Sequence, residues 1–138
     1  TRALRSVARR GSASHAAVVD SLMGFNRSWA ADAAALVVFV ATTEQDGKAL
    51  RWAAYDVGQA AAHFTVQAHA NDLGTHQMGG FHADRIAESF GLTDTQRALT
   101  VMAVGPVGDL DAASEELQAR ENAPRERRPV AESLLVDD

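Results

Sequence analysis

Leu50-Arg51-Trp52-Ala53-Ala54-Tyr55-Asp56-Val57-Gly58-Gln59-Ala60-Ala61-Ala62-His63-Phe64-Thr65-Val66-Gln67-Ala68 is the stretch that organises this chain. Leu50, Ala54, Val57, Ala61, Phe64 and Ala68 step by 4, 3, 4, 3 and 4 residues, which sets them on one stripe of a single long helix. Ala53, Gly58, Ala60 and Ala62 beside that stripe are small, so another helix can pack closely against it. A helix of this kind is central to a domain or to a dimer. Asn71-Asp72-Leu73-Gly74 closes it, with Gly74 expected as the left-handed residue beyond the last turn.

Upstream, Ala34-Ala35-Leu36-Val37-Val38-Phe39-Val40-Ala41 is unbroken and apolar, rich in β-branched and aromatic residues. Its length and composition predict a strand buried on both faces. Glu44-Gln45-Asp46-Gly47 reads as a polar loop. Earlier still, Ser12-Ala13-Ser14 offers N-caps for a helix carrying Val18, Val19, Leu22, Met23 and Phe25. Gly24, Asn26 and Ser28 weaken that helix from there on. Leu4 and Val7 fit a short edge strand.

Downstream, Thr75 to Met78 reads as a short strand and Gly79-Gly80 as a flexible turn. Ala83, Ile86, Ala87 and Phe90 mark a second amphipathic helix, ended by Gly91. Ala98 to Val104 is another buried strand, stopped by Gly105-Pro106. Asp111 to Arg120 is polar and helical, Glu121 to Pro129 loop-like, and Leu134-Leu135-Val136 a terminal strand. The succession of helices and strands predicts a mixed α/β layer arrangement around one sheet.

The 138 residues make one domain, 1–138, with enough chain for a real core. The composition, 46% hydrophobic and 22% charged, is globular. There is no cysteine, which excludes disulfides, zinc–thiolate sites and cysteine nucleophiles and suits a cytoplasmic location. The net charge of −5 argues against nucleic-acid and anionic-membrane partners. The longest apolar run, Ala33 to Ala41, is about half of what a membrane span needs. Twenty-eight alanines, and 12 arginines against the single Lys48, point to a high-GC bacterial source.

The candidate chemistry is sparse. His76 and His82, and likewise His63 and His69, are six residues apart, which is not a metal-ligand spacing, so no metal site is expected. No Gly-x-Ser-x-Gly elbow anchors hydrolase chemistry. Gly79-Gly80 follows a strand and could let a ligand approach bare backbone N–H groups, or be an ordinary turn. Arg125-Glu126-Arg127-Arg128 could clamp a phosphate, or be a solvated tail paired with Glu121, Glu126 and Glu132.

Taken in order, five stretches resemble the FMN-dependent nitroreductase family. They are Phe25-Asn26-Arg27-Ser28-Trp29 leading into the Ala34–Ala41 strand; Asp56-Val57-Gly58-Gln59-Ala60-Ala61 with Asn71-Asp72-Leu73-Gly74-Thr75; Met78-Gly79-Gly80-Phe81 with Ile86 through Leu92; Val104-Gly105-Pro106-Val107; and Arg125-Glu126-Arg127-Arg128-Pro129-Val130. The resemblance implies an α+β fold, a three-layer α/β/α sandwich with a mixed or antiparallel sheet and a long central helix. It implies a homodimer, or a heterodimer with a related subunit, with the long helix at the interface.

The implied activity is hydride transfer from NAD(P)H through FMN to a small-molecule acceptor such as a nitroaromatic or a quinone. A shortened, non-catalytic flavin-binding or partner subunit is the alternative. Carried onto matching positions, Gly79 and Gly80 present N–H groups to the flavin N5 and O4, and Asn26 touches the pyrimidine end of the ring. Gln77 lies beside the ring, Phe25 borders the substrate pocket, and Arg125 and Arg127 hold the phosphate. No side chain is expected to be catalytic itself, since the flavin carries the chemistry. The sequence departs from the family in lacking its first third, including an arginine-rich phosphate-contacting motif, so the N-terminal part of the fold is expected to be missing. Trp29 stands where the family often has a lysine.

Overall fold

The apolar run forms β2 (Ala35–Thr42), and six of its eight residues are buried. In this computed structural model, which describes residues 3–134, β2 lies in the middle of a four-stranded sheet. β1 (Ala3–Arg9) pairs with one edge of β2, Val7 opposite Val37. β6 (Gln96–Gly105) pairs with the other, Val38 opposite Val101, and β5 (Gly74–Met78) completes the sheet against β6. The order is β1-β2-β6-β5, antiparallel at every pairing.

Because strand side chains alternate, β2 feeds two cores. Leu36, Val38 and Val40 join Val18 and Leu22 near α1 (Ala13–Ser21), Ala30 of α2 (Phe25–Ala30) and Ile86 of α4 (Ala83–Phe90). Val37, Phe39 and Ala41 join Ala53, Val57 and Ala61 of α3 (Ala53–His69). Phe39 also meets Phe64 edge-on, with ring centroids 5.9 Å apart. The result is the expected three layers, with the sheet between α1, α2 and α4 on one side and α3 on the other. A register shift between Phe39 and Val40 serves this double burial. It lets Ala98 and Val101, three residues apart, reach the same core, which regular alternation forbids.

The helix ends follow local chemistry. The Ser12 hydroxyl caps α1 by accepting from the His15 N–H at 3.1 Å. Gly91 ends α4 in the left-handed region (φ +62°), and the Leu92 N–H returns to the Ala87 carbonyl at 2.9 Å. At the end of α3 the expectation for Gly74 is corrected. The left-handed residue there is Asp72 (φ +57°), with its N–H on the His69 carbonyl and the Leu73 N–H on the Ala68 carbonyl. Aspartate tolerates this conformation better than most residues, which frees Gly74 to open β5.

Two further details differ from the sequence reading. The first helix does not fade beyond Gly24; it stops at Ser21 and a new one, α2, starts after Gly24, whose positive φ of 52° makes the break. Glu44 to Gly47 is no plain loop. β3 (Glu44–Gln45) and β4 (Lys48–Ala49) form a small hairpin around Asp46-Gly47, both with positive φ, as a two-residue type I′ turn requires.

The chain divides into two compact units, Thr1–Val107 and Gly108–Asp138. The sheet and α1–α4 make up the first. The second contains α5 (Glu115–Glu121), capped by the Ser114 hydroxyl, and two short 3-10 turns. The terminal strand expected at Leu134-Leu135-Val136 falls mostly outside the described residues, and Leu134 itself is not in a strand.

Candidate functional site

The Met78-Gly79-Gly80-Phe81 segment leaves the end of β5 and is stitched to the chain between α1 and α2. The Met23 N–H donates to the Gly80 carbonyl at 2.9 Å, and the His82 N–H donates to the Ser21 carbonyl at 2.8 Å. Leu22 and Phe81 form a bridge between them. Both flanking side chains are apolar and packed, Leu22 within the first core and Phe81 against it. The glycine turn is thus held at both ends by core residues.

Within the turn, the Phe81 N–H bends back to the Gly79 carbonyl at 3.1 Å. Neither the Gly79 nor the Gly80 N–H has a backbone or side-chain acceptor among the described residues. Gly79 is exposed and Gly80 half-buried. Two adjacent donors are therefore held ready for an external acceptor.

Asn26, in the first turn of α2, lies against this turn. Its Nδ2 donates to the Gly80 carbonyl at 3.4 Å, a long bond. A Cβ on Gly80 would stand 3.0 Å from that same nitrogen. Since only an N–H can donate to a carbonyl, this contact fixes which way the carboxamide faces. It leaves Oδ1 and one N–H available, an acceptor beside a donor. One turn further along α2, the Trp29 ring meets His76 of β5 edge-on, centroids 4.9 Å apart. Helix α2 is thus pinned to β5 and its outgoing turn at two points.

The structure brings Asn26, Gly79 and Gly80 together, with Phe25 beside Asn26 at the half-buried start of α2. It does not place Gln77 on the same side. Gln77 stands opposite Met102, which belongs to the α3-side core, so its exposed side chain leaves the sheet away from α2. Arg125 and Arg127 lie in the second unit, exposed and outside regular structure, and the Arg127 guanidinium donates to the Glu126 carbonyl at 2.9 Å. The contact of Trp29 with His76 was not read from the sequence. Period-2 counting along Thr75–Met78 puts His76 on the Met78 face, but nothing local names α2 as the element covering it.

Among the described residues no group of three or more His, Asp or Glu is arranged to hold a metal ion, and no helix is long and apolar enough to cross a membrane.

Comparison with known proteins converges on one family. Residues 2–106 match the nitroreductase family, a span that ends where the first unit ends. An uncharacterised 15.4 kDa protein of Mycolicibacterium smegmatis is 36% identical over 128 residues, covering 88% of this chain and 86% of that protein. A crystal structure of an oxidoreductase containing FMN superposes with a TM-score of 0.85 at 26% identity, over 96% of this chain and 69% of the other. A protein of Desulfovibrio desulfuricans solved in complex with FMN shares the fold, with a TM-score of 0.70 at 16% identity over 99% of this chain and 72% of that one.

Proposed function

The chain belongs to the nitroreductase family, and on that premise we propose that it is an FMN-dependent oxidoreductase using NAD(P)H to reduce a small acceptor of the nitroaromatic or quinone kind. The observation that carries this reading is the pair of unspent N–H donors at Gly79 and Gly80, with the Asn26 carboxamide at their side. These residues fit the flavin. Two donors suit its N5–O4 edge, where negative charge grows on reduction. The free acceptor and donor of Asn26 suit the imide of the pyrimidine end. The segment is glycine-only and exposed at Gly79, where an added Cβ would meet nothing within 4 Å, so a planar ring can come up to the backbone.

Bound there, FMN supplies the hydride chemistry. This chain's residues bind and orient it. Gly79 and Gly80 hold one edge, and Asn26 the pyrimidine end. Phe25 borders the acceptor space, and in the second unit Arg125 and Arg127 are proposed to bind a phosphate; Gln77, which faces the α3 side, is left out of this site. A homodimer, or a pair with a related subunit, is part of the same proposal, as is a cytoplasmic location with ready access to reduced nicotinamide. The outer face of α3 supports the dimer: Ala54, Gly58 and Ala62 are exposed and small, and Tyr55 and Val66 stand 63% and 69% exposed.

The test is NAD(P)H oxidation by the purified chain with a quinone or nitroaromatic acceptor. Turnover is expected with FMN added and is expected to vanish without it. Tight FMN binding without turnover would instead make the chain a flavin-binding or partner subunit. No turnover and no binding would reject the proposal.

A further inference from the structure

We infer that Asn26 is a positioning residue: from the first turn of α2 its carboxamide holds the Gly80 carbonyl, and through the Gly79-Gly80-Phe81 turn it aims the Gly80 N–H at a ligand edge. The inference rests on the flavin reading for the identity of that edge, but the contact itself is independent of it.

Both glycine carbonyls of the turn are engaged. Gly79 O accepts from the Phe81 N–H at 3.1 Å, a bond that closes a three-residue turn about Gly80. Gly80 O accepts from the Met23 N–H at 2.9 Å and from Asn26 Nδ2 at 3.4 Å. In a trans peptide the C=O and N–H point in opposite directions. Fixing the Gly80 carbonyl stops the Gly80–Phe81 peptide from rotating, the Phe81 N–H in turn holds the Gly79 carbonyl, and that sets the direction of the Gly80 N–H; the Gly79 N–H belongs to the Met78–Gly79 peptide, whose carbonyl accepts from the Thr100 hydroxyl at 3.1 Å. Without these anchors a pair of glycines samples many orientations.

The choice of glycine at 80 has the same origin. Gly80 does not have a positive φ, so the backbone conformation does not demand it. A Cβ would stand 3.0 Å from Asn26 Nδ2, so the carboxamide would have to shift by a few tenths of an ångström, and 4.0 Å from the Met23 Cβ, an ordinary contact. Asn26 and the bare Cα of Gly80 are a matched pair. The edge contact between Trp29 and His76 holds α2 in place for this, because positions three apart share a helix face.

The discriminating variant is Asn26→Asp, which keeps the shape and reverses the polarity. A carboxylate oxygen facing the Gly80 carbonyl repels it. In the ligand-free protein, backbone amide spectra of Asn26→Asp are expected to show shifted and exchange-broadened signals at Met23 and Gly79 to Phe81, with β2 and α3 unchanged. With FMN added, the dissociation constant is expected to rise about tenfold, the worth of one hydrogen bond. The midpoint potential of the bound flavin is expected to fall, since the donors no longer stabilise the reduced N5–O4 edge together. The pair Asn26→Ala and Gly80→Ala provides a second reading. Because Gly80→Ala already displaces the carboxamide, the double variant should bind FMN no more weakly than Gly80→Ala alone.

Unchanged Gly79 and Gly80 amides in ligand-free Asn26→Asp would overturn the positioning role. An unshifted potential with FMN bound, or fully additive losses in the double variant, would do the same. Perturbed amides in a protein whose unaltered form binds no FMN would uphold the contact and overturn its assignment to a flavin.

Discussion

At the scale of single residues, the chain uses glycine for two different reasons, and substitution separates them. Gly91 is in the left-handed region, where a side chain is strained. Gly74 is not; an added Cβ would meet only the Val107 Cγ2 at 3.0 Å and the Gly105 carbonyl at 3.6 Å. Val107 is 81% exposed and free to turn aside. Gly91→Ala is therefore expected to cost about 1 kcal/mol, and Gly74→Ala well under that, because it also restricts the unfolded chain. Urea unfolding of the two variants checks this. Equal losses would restore Gly74 as the helix-ending residue and contradict the left-handed assignment at Asp72. The sequence reading chose Gly74 because glycine is the commonest residue at that place, and aspartate, which bonds its own backbone well, is the less visible choice.

At the scale of elements, what was legible was periodicity. The run from Ala34 to Ala41 gave β2 to within one residue, and the stripe from Leu50 to Ala68 gave α3 and its end, although the helix starts only at Ala53 and Leu50 lies outside it. β2 buries Leu36 to Ala41 as its composition selects, and α3 buries Val57, Ala61 and Ala68 of the stripe, but Ala54 is exposed and its neighbour Ala53 takes the buried place in the first turn. What was not legible depended on long-range contacts. The short helix α2 has little propensity of its own, with glycine, asparagine and serine in and before it. It holds its place because Ala30 is buried in the first core and Asn26 and Trp29 reach β5 and its turn. The register shift in the β2–β6 pair leaves no mark in a run of uniformly apolar residues. The candidate site was legible as a glycine pair beside a strand, but the partner of that pair is 54 positions away in sequence.

The outer face of α3 carries an element-scale prediction. Gly58 is exposed, and a Cβ there would meet nothing within 4 Å of its own chain. If a second copy packs on this face, bulk and charge there act on assembly and not on folding. Gly58→Glu combined with Ala62→Glu is expected to convert dimers to monomers in sedimentation velocity, with the far-ultraviolet circular dichroism unchanged. Unaltered dimers would remove α3 from the interface.

At the scale of the whole molecule, two cores on either side of one sheet make a rigid frame, and the glycine turn leaves that frame at the end of β5. The turn, between these cores and solvent, keeps two backbone donors unspent. The family match stops at residue 106, at the edge of the first unit, while the arginine cluster lies in the second. The measurement to make first is the visible absorption spectrum of the purified chain after incubation with FMN and removal of the excess. A flavin band at near-stoichiometric occupancy, weaker in Asn26→Asp, is the expected result. A colourless protein that retains no FMN would contradict the assignment of Gly79, Gly80 and Asn26 to a flavin site.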